Sequence, residues 1–312
     1  MDNRFVVVGI GELLWDVFPD GKRLGGAPVN FAFYCGQLGA DAYPVSCIGA
    51  DRLGAEIRDA LAALNVDISY VTEDAEHPTG TVQVMLDADG RPSYEICEGV
   101  AWDVLDVSES GLCESAFDYP KETNRKPEAK LDELAQKTAA VCFGSLAQRN
   151  VVSRATIRHF LAKTGPAALR IFDVNLRQKF YSKEIIEESL ELSNILKLSD
   201  EELSVLAAMF ELSGSVQDQL AALLDRFDLR LIAYTRGADG SLLVAPDETN
   251  EHPGCPVAVV DSVGAGDSFT AALCMGLLKG KPLSQINDCA NRVAAFVCSQ
   301  AGATPVLQQG VL

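Results

Sequence analysis

The chain has 312 residues, 48% of them hydrophobic, and a formal net charge of −18 from 44 acidic and 26 basic residues. That length and apolar content suffice for one large core, while the charge argues against nucleic acid and anionic membranes, which are bound through basic patches. The nine cysteines form no CxxC pair and His77, His159 and His252 lie far apart, so neither a zinc cluster nor a disulfide framework is expected, and a soluble, cytoplasmic protein is.

Apolar, β-branched runs alternate with helical patterns along most of the chain, the rhythm of a parallel sheet covered by helices. FVVVGIGELLWDVF (5–18) reads as one or two strands around Gly9 and Gly11. Its apolar start, Phe5–Ile10, is short and soon followed by Glu12 and Asp16, so it is neither signal peptide nor membrane span. APVNFAFYCGQLG (27–39) reads as a helix with Pro28 in its first turn and Gly39 past its end. A strand at 43–49, a helix at 53–64 and a strand at 66–72 follow. The rhythm breaks at 79–98, where two alternating strands flank Asp89-Gly90, a hairpin signal expected to stand apart from the main sheet. Polar, Pro-containing 118–130 reads as a surface connection. Strands near 139–145, 168–174, 194–198 and 229–235 then alternate with helices near 151–163, 182–192 and 200–225. A second hairpin-like pair (241–246 and 256–260) precedes helices at 265–279 and 283–300.

Two nucleotide fingerprints are missing. No GxxxxGK[ST] occurs, and Leu14 occupies the third glycine position after VVVGIG, which disfavours a Rossmann dehydrogenase. Four other clusters stand out. In DSVGAGD (261–267), Gly264, Ala265 and Gly266 open a helix, where backbone N–H groups and the helix dipole attract anions, yet Asp267 follows at once. Taken alone, the run suits an ordinary helix start equally well. In LGGAPVNFA (24–32), Gly25-Gly26 permit close backbone approach and Asn30 offers donors and acceptors; with Asp16 these groups suit a polyol, although a tight turn explains them too. FDVNLR (172–177) places Asp173, Asn175 and Arg177 at the carboxyl end of a strand, where open α/β sheets bind ligands. LKLSDEEL (196–203) ends a strand and opens a helix with several carboxylates, one of which could hold Mg²⁺ through water. TRGADGSLL (235–243) reads as a small-residue turn between strands.

Together GGAPVNFA (25–32) and DSVGAGD (261–267), in this order and with DVNLR and TRGADG between them, resemble the two signatures of the PfkB, ribokinase-like, sugar kinases, and within that family the fructokinases. The resemblance, from GELLWD to AGATP, implies a three-layer α/β/α sandwich over 1–312, its central sheet mostly parallel. It also implies a β lid of about 12–24 and 80–100, pairing two subunits. It makes Asp267 the catalytic base, Gly264, Ala265 and Gly266 the anion hole, and Arg177 the residue reaching the transferred phosphate. Asp16, Gly25, Gly26 and Asn30 fall at sugar-binding positions. Thr235, Gly237, Gly240 and Lys197 fall at nucleotide-binding positions, and Asn291 beside adenine. Glu202 matches the acid that orders Mg²⁺-bound water, with Ser199 where the family usually has Asn. Many members also bind K⁺ through carbonyls around Asp261. The implied cofactors are thus ATP and Mg²⁺, with K⁺ as a third candidate.

The expected reaction is phosphoryl transfer from ATP to a hexose primary hydroxyl, most simply that of fructose. Another acceptor (2-keto-3-deoxygluconate, ribose or a nucleoside) stays open, as does a silent sugar-binding regulator. In the first turn of its helix, Asp267 is expected to be ionised and only weakly basic.

Overall fold

The computed structural model describes residues 4–86, 92–105, 127–308, 310 and 311. The chain runs β1 (Val6–Ile10), β2 (Leu14–Phe18), β3 (Gly21–Gly25), α1 (Ala27–Gln37), β4 (Asp41–Gly49), α2 (Arg52–Ala63), β5 (Val71–Asp74), β6 (Gly80–Leu86) and β7 (Pro92–Ile96). After α3 (Pro127–Lys137) come β8 (Ala140–Phe143), α4 (Val151–Lys163), β9 (Leu169–Asp173), α5 (Lys183–Leu192), β10 (Ile195–Ser199), α6 (Asp200–Phe210) and α7 (Val216–Arg226). The described chain closes with β11 (Leu231–Thr235), β12 (Ser241–Val244), β13 (Thr249–His252), α8 (Ala265–Leu278) and α9 (Leu283–Cys298).

Because side chains alternate along a strand, β1 feeds two cores. Val8 and Ile10 pack with residues of α3 to α7, whereas Val7 packs with α1, α8 and α9. The sheet between these layers has the order β13-β12-β11-β10-β9-β8-β1-β4-β5. Strands β11 to β5 in that order pair in parallel, and only the β12 and β13 edge is antiparallel. From β1 the chain first builds outward through β4 and β5, then returns to start again at β8 on the other side. The connections therefore part above the carboxyl ends of β1 and β8, the switch point at which open α/β sheets hold ligands. A separate sheet, β3-β2-β6-β7, stands beside this end. Among the described residues no helix is long and apolar enough to cross a membrane.

Several expectations are corrected. The strand expected at 66–72 begins only at Val71, because Asp67 Oδ1 accepts the Ser69 N–H at 2.9 Å and holds a turn. The single helix over 200–225 is two: Glu211 adopts φ 58°, and Ser215 caps a new helix through its hydroxyl, which accepts the Asp218 N–H. The partner of β12 is β13, not 256–260, since a turn in which Ala245 N donates to Glu248 O closes that hairpin early. Segment 256–260 carries no strand; Val260 N and Asp261 N both donate to Cys298 O. Of the connection read at 118–130, residues 127–130 open α3, whose Leu131, Leu134 and Ala135 are buried; the rest lies outside the described residues, as does the Asp89-Gly90 turn.

A buried ion pair helps fasten the end of the small sheet to the main body. Arg149, in a 3-10 turn after β8, donates to both carboxylate oxygens of buried Asp103 at 2.7 and 2.8 Å, and to Cys97 O at 2.6 Å just past β7. Its guanidinium also lies 4.1 Å from the Trp102 ring centroid and 4.6 Å from that of Phe180. Arg149→Ala leaves Asp103 buried without a counter-charge, so urea unfolding should show stability lower by about 3–5 kcal/mol.

Candidate active site

The two buried helices α1 and α8 meet at their N-termini. Every residue from Pro28 to Cys35 on α1 and from Ser268 to Met275 on α8 is buried, so packing on all sides fixes where their first turns lie. At the start of α1, Gly26 has φ 122°, and a Cβ there would stand 2.4 Å from the Glu12 carbonyl oxygen. At the start of α8, Gly264 has φ 80°, and a Cβ would stand 2.3 Å from the Ala303 carbonyl oxygen. That same oxygen accepts the Tyr34 hydroxyl at 2.8 Å, which ties the second turn of α1 to the loop beneath α8. With the helices so set, Asn30 Nδ2 donates to Asp267 Oδ2 at 2.8 Å across 237 residues of sequence.

Positive groups gather at the start of α8. The first-turn N–H groups have no intrahelical acceptor. Lys197, in the middle of β10, sits beneath them: a Cβ on Gly266 would lie 3.1 Å from its Nζ. Lys197 Nζ also donates to Asp173 Oδ1 at 3.0 Å, and Thr270 Oγ1 donates to Asp173 Oδ2 at 3.2 Å. Burial opposes the charge on Lys197, but Asp173, with Glu202 and Asp267 behind it, prevails and raises its pKa. A cavity of about 10 Å³, room for one water, is bounded by Pro28, Phe143, Asp173, Asn175, Asp267 and Thr270 among others.

Glu202 is held rather than free. Its Oε2 accepts the Ser199 N–H at 2.7 Å and its Oε1 the Leu176 N–H at 2.9 Å, while Ser199 Oγ accepts the Glu202 N–H at 3.2 Å. Ser199, where an Asn was the expectation, thus forms a capping box with Glu202. Each carboxylate oxygen keeps one lone pair, which fits a contact made through water. Among the described residues no three metal-ligating side chains converge.

Arg177 is exposed, and its Nη1 donates to Leu176 O at 3.2 Å. Its charge nonetheless reaches Glu12, Asp16 and Asp267 and works against the rise that burial imposes on the pKa of each. Asp16 Oδ2 lies against Gly25, where a Cβ would come within 2.5 Å. Burial pushes Asp16 up to about 6 against Arg177 and Arg23. Asp261 accepts the Val263 N–H on Oδ1, and on Oδ2 both the Gly302 N–H and the Arg23 guanidinium. The remaining candidates form a second group along the sheet. Arg236 N donates to Gly240 O at 2.8 Å and Gly240 N to Gly237 O at 3.2 Å, so Gly237 and Gly240 share one tight turn after β11. Thr235 Oγ1 donates to Leu198 O at 3.4 Å, and Asn291 Nδ2 donates to Ser241 Oγ at 2.7 Å. The ends of β9, β10 and β11 are adjacent, so the two groups border one continuous rim.

Asp267 is not the weak base that a first-turn carboxylate suggested. Burial pushes its pKa up to about 6; the Asn30 hydrogen bond, Lys197 and Arg177 pull it back, and Asp173 adds to the rise. Loss of water around the carboxyl is the largest contribution to that rise. Sequence reasoning also passed over Glu12, whose only signal is one acid between the apolar runs VVVGIG and LLW. It is 3% exposed, and burial pushes it up to about 7.

Comparison with known proteins places this geometry. The family model described as pfkB family carbohydrate kinase matches residues 11–309. An uncharacterized sugar kinase of Pyrococcus horikoshii is 29% identical over 96% of this chain and 91% of its own length. A fructokinase of Klebsiella pneumoniae is 29% identical over 86% of this chain and 83% of its own. The solved structure of the Pyrococcus sugar kinase in complex with ATP superposes with a TM-score of 0.78 at 28% identity, covering 99% of this chain and 96% of that one.

The raised pKa of Asp267 has a consequence for stability. Its folded value, about 6, lies above its ordinary value of 3.8, so folding favours the protonated form, and stability falls as pH rises from 4 to 6 and stays low above that. Asp267→Asn removes this cost. Urea unfolding should show the variant more stable than the parent by up to about 3 kcal/mol at pH 8, and no more stable near pH 4.

Proposed function

The chain belongs to the pfkB family of carbohydrate kinases, and on that premise we propose that it transfers the γ-phosphoryl group of ATP to a primary hydroxyl of a hexose, with fructose as the preferred acceptor. One observation carries this reading: the Asn30–Asp267 hydrogen bond joins the helix start suited to a polyol to the helix start suited to a phosphate. An acceptor lying between Asp16, Gly25, Gly26 and Asn30 would turn its hydroxyl toward Asp267 Oδ1, the oxygen that Asn30 does not occupy. Asp267 then takes the hydroxyl proton as the phosphoryl group leaves ATP. Charge in a loose transition state is spread over the phosphoryl oxygens, so position and electrostatics supply most of the catalysis. The α8 N–H groups, Lys197 and Arg177 provide that positive field in a chain of net charge −18. Mg²⁺, held through water ordered by Glu202, would neutralise charge on the phosphates. Gly237, Gly240 and Thr235 would lie under the nucleotide, with Asn291 beside its base. Carbonyls around Asp261 would take K⁺.

The ATP complex of the Pyrococcus relative and the Klebsiella fructokinase support donor and acceptor respectively. Two cations on the small sheet argue for an unphosphorylated sugar. Lys22 is paired with Glu56 and Arg23 with Asp261, which leaves neither for a second phosphate. We read the small sheet as a lid over the acceptor. Its open edges, β3 and β7, would let two copies pair as a homodimer, which sedimentation would detect.

In an ADP-release assay with Mg²⁺, run with and without K⁺, fructose should give the highest kcat/KM among hexoses, 2-keto-3-deoxygluconate, ribose and nucleosides. A higher value for another acceptor would reassign the substrate, and binding of sugar and ATP without ADP release would point to a regulator. Asp267→Asn should lower kcat by at least about 10²–10⁴ while sugar affinity, read by calorimetry, stays within a few-fold. Because the base must be ionised, kcat/KM of the parent should fall as pH drops through about 6.

A further inference from the structure

Glu12 has no part in the scheme above, yet it is buried at its centre. It leaves the end of β1 two residues after Ile10, and its carbonyl oxygen packs against Gly26. The N–H groups of Glu12 itself and of Ala27 act on its carboxyl, so the side chain folds back onto the first turn of α1. The charged groups facing it are Arg177 and Asp267. Its Oε2 is fully buried without a hydrogen-bond partner, and so is Oδ1 of Asn30, on the same turn of α1.

While Glu12 is ionised, both orphaned oxygens are acceptors, and neither can satisfy the other. Protonation of Glu12 turns one of them into a donor. We propose that Glu12 is a positioning residue carried as the neutral acid, whose Oε2–H donates to Asn30 Oδ1 and so fixes the Asn30 carboxamide with its Nδ2 on Asp267. A chain of two hydrogen bonds then runs from Glu12 through Asn30 to the base. It sets the amide orientation and leaves one negative charge, on Asp267, facing Arg177. Two carboxyls whose environments separate their roles are a recurring arrangement in enzymes. The electrostatics agree: burial pushes Glu12 up to about 7 and Asp267 to about 6, so between those values the pair holds one proton, on Glu12. Above that range Glu12 ionises, the amide loses its donor and a second carboxylate faces the base.

The inference rests on Asp267 being the base but not on fructose being the acceptor, so the test uses whichever sugar the acceptor panel gives. In the wild type, kcat/KM should fall on the alkaline side with an apparent pKa near 7, a value belonging to the coupled pair. Glu12→Gln keeps the shape and an N–H donor without the titration. It should hold kcat within about threefold and lose the alkaline limb up to about pH 8. Glu12→Ala should lose at least about tenfold in kcat. Infrared difference spectra of the wild type at pH 6.5 should show the carbonyl stretch of a protonated carboxyl that Glu12→Gln lacks, a readout independent of activity. An alkaline limb that survives in Glu12→Gln, or no such band at pH 6.5, overturns the proposal. Loss of the base assignment would instead show as an active Asp267→Asn, with the infrared result unchanged.

Discussion

Asn30 Nδ2 and Asp267 Oδ2 lie 2.8 Å apart because two helices that are buried on all sides have their N-termini pressed together at the switch point of the sheet. Neither helix can slide: α1 is pinned where Gly26 packs on the Glu12 carbonyl, and α8 where Gly264 packs on that of Ala303. The Tyr34 hydroxyl joins the two anchors through the Ala303 oxygen. Everything chemical about the site inherits its geometry from this junction. The order of the sheet makes it possible, since the connections of β1 and β8 part there and leave the first turns of both helices facing one crevice.

The same burial sets the electrostatics. A chain of net charge −18 gathers Lys197, the α8 N–H groups and Arg177 around Asp267. Lys197 keeps its proton because Asp173, Glu202 and Asp267 surround it. The carboxyls around this point respond in the opposite sense: Asp16, Glu12 and Asp267 are all raised by loss of water. Raising a base toward neutrality makes it a better proton acceptor and at the same time costs folding energy. On the proposed reading an acid beside an anion site is no paradox, because the backbone would face the phosphate and the carboxylate the acceptor hydroxyl.

The small sheet is held to this junction from two sides. Arg149 and Asp103 fasten its base beside β8, and Arg23 reaches Asp261 immediately before the α8 loop. Gln178 Nε2 also donates to Tyr94 O at 2.6 Å, linking β7 to the loop that carries Arg177. These contacts link the small sheet to the loops on both sides of the crevice.

Much of this was legible in the residues themselves. The alternation of β-branched runs with helical patterns specified a parallel α/β sheet, because strand and helix periodicities differ locally. Small residues before Pro28 and before Asp267 marked the two helix starts, since close backbone approach demands them. Local signals that compete with the pattern were weaker guides. A left-handed Glu211 split one helix into two, and a tight turn after Ala245 moved a strand from 256–260 to 249–252. Glu12 and the raised basicity of Asp267 were invisible for a deeper reason. A residue's identity fixes its ordinary pKa, but water exclusion and the charges of Asp173, Lys197 and Arg177 fix the shift. Those neighbours converge from strands and helices far apart in the chain, so sequence determined which groups could do the chemistry, and only the packing of α1 against α8 decided how acidic, how oriented and how close they would be.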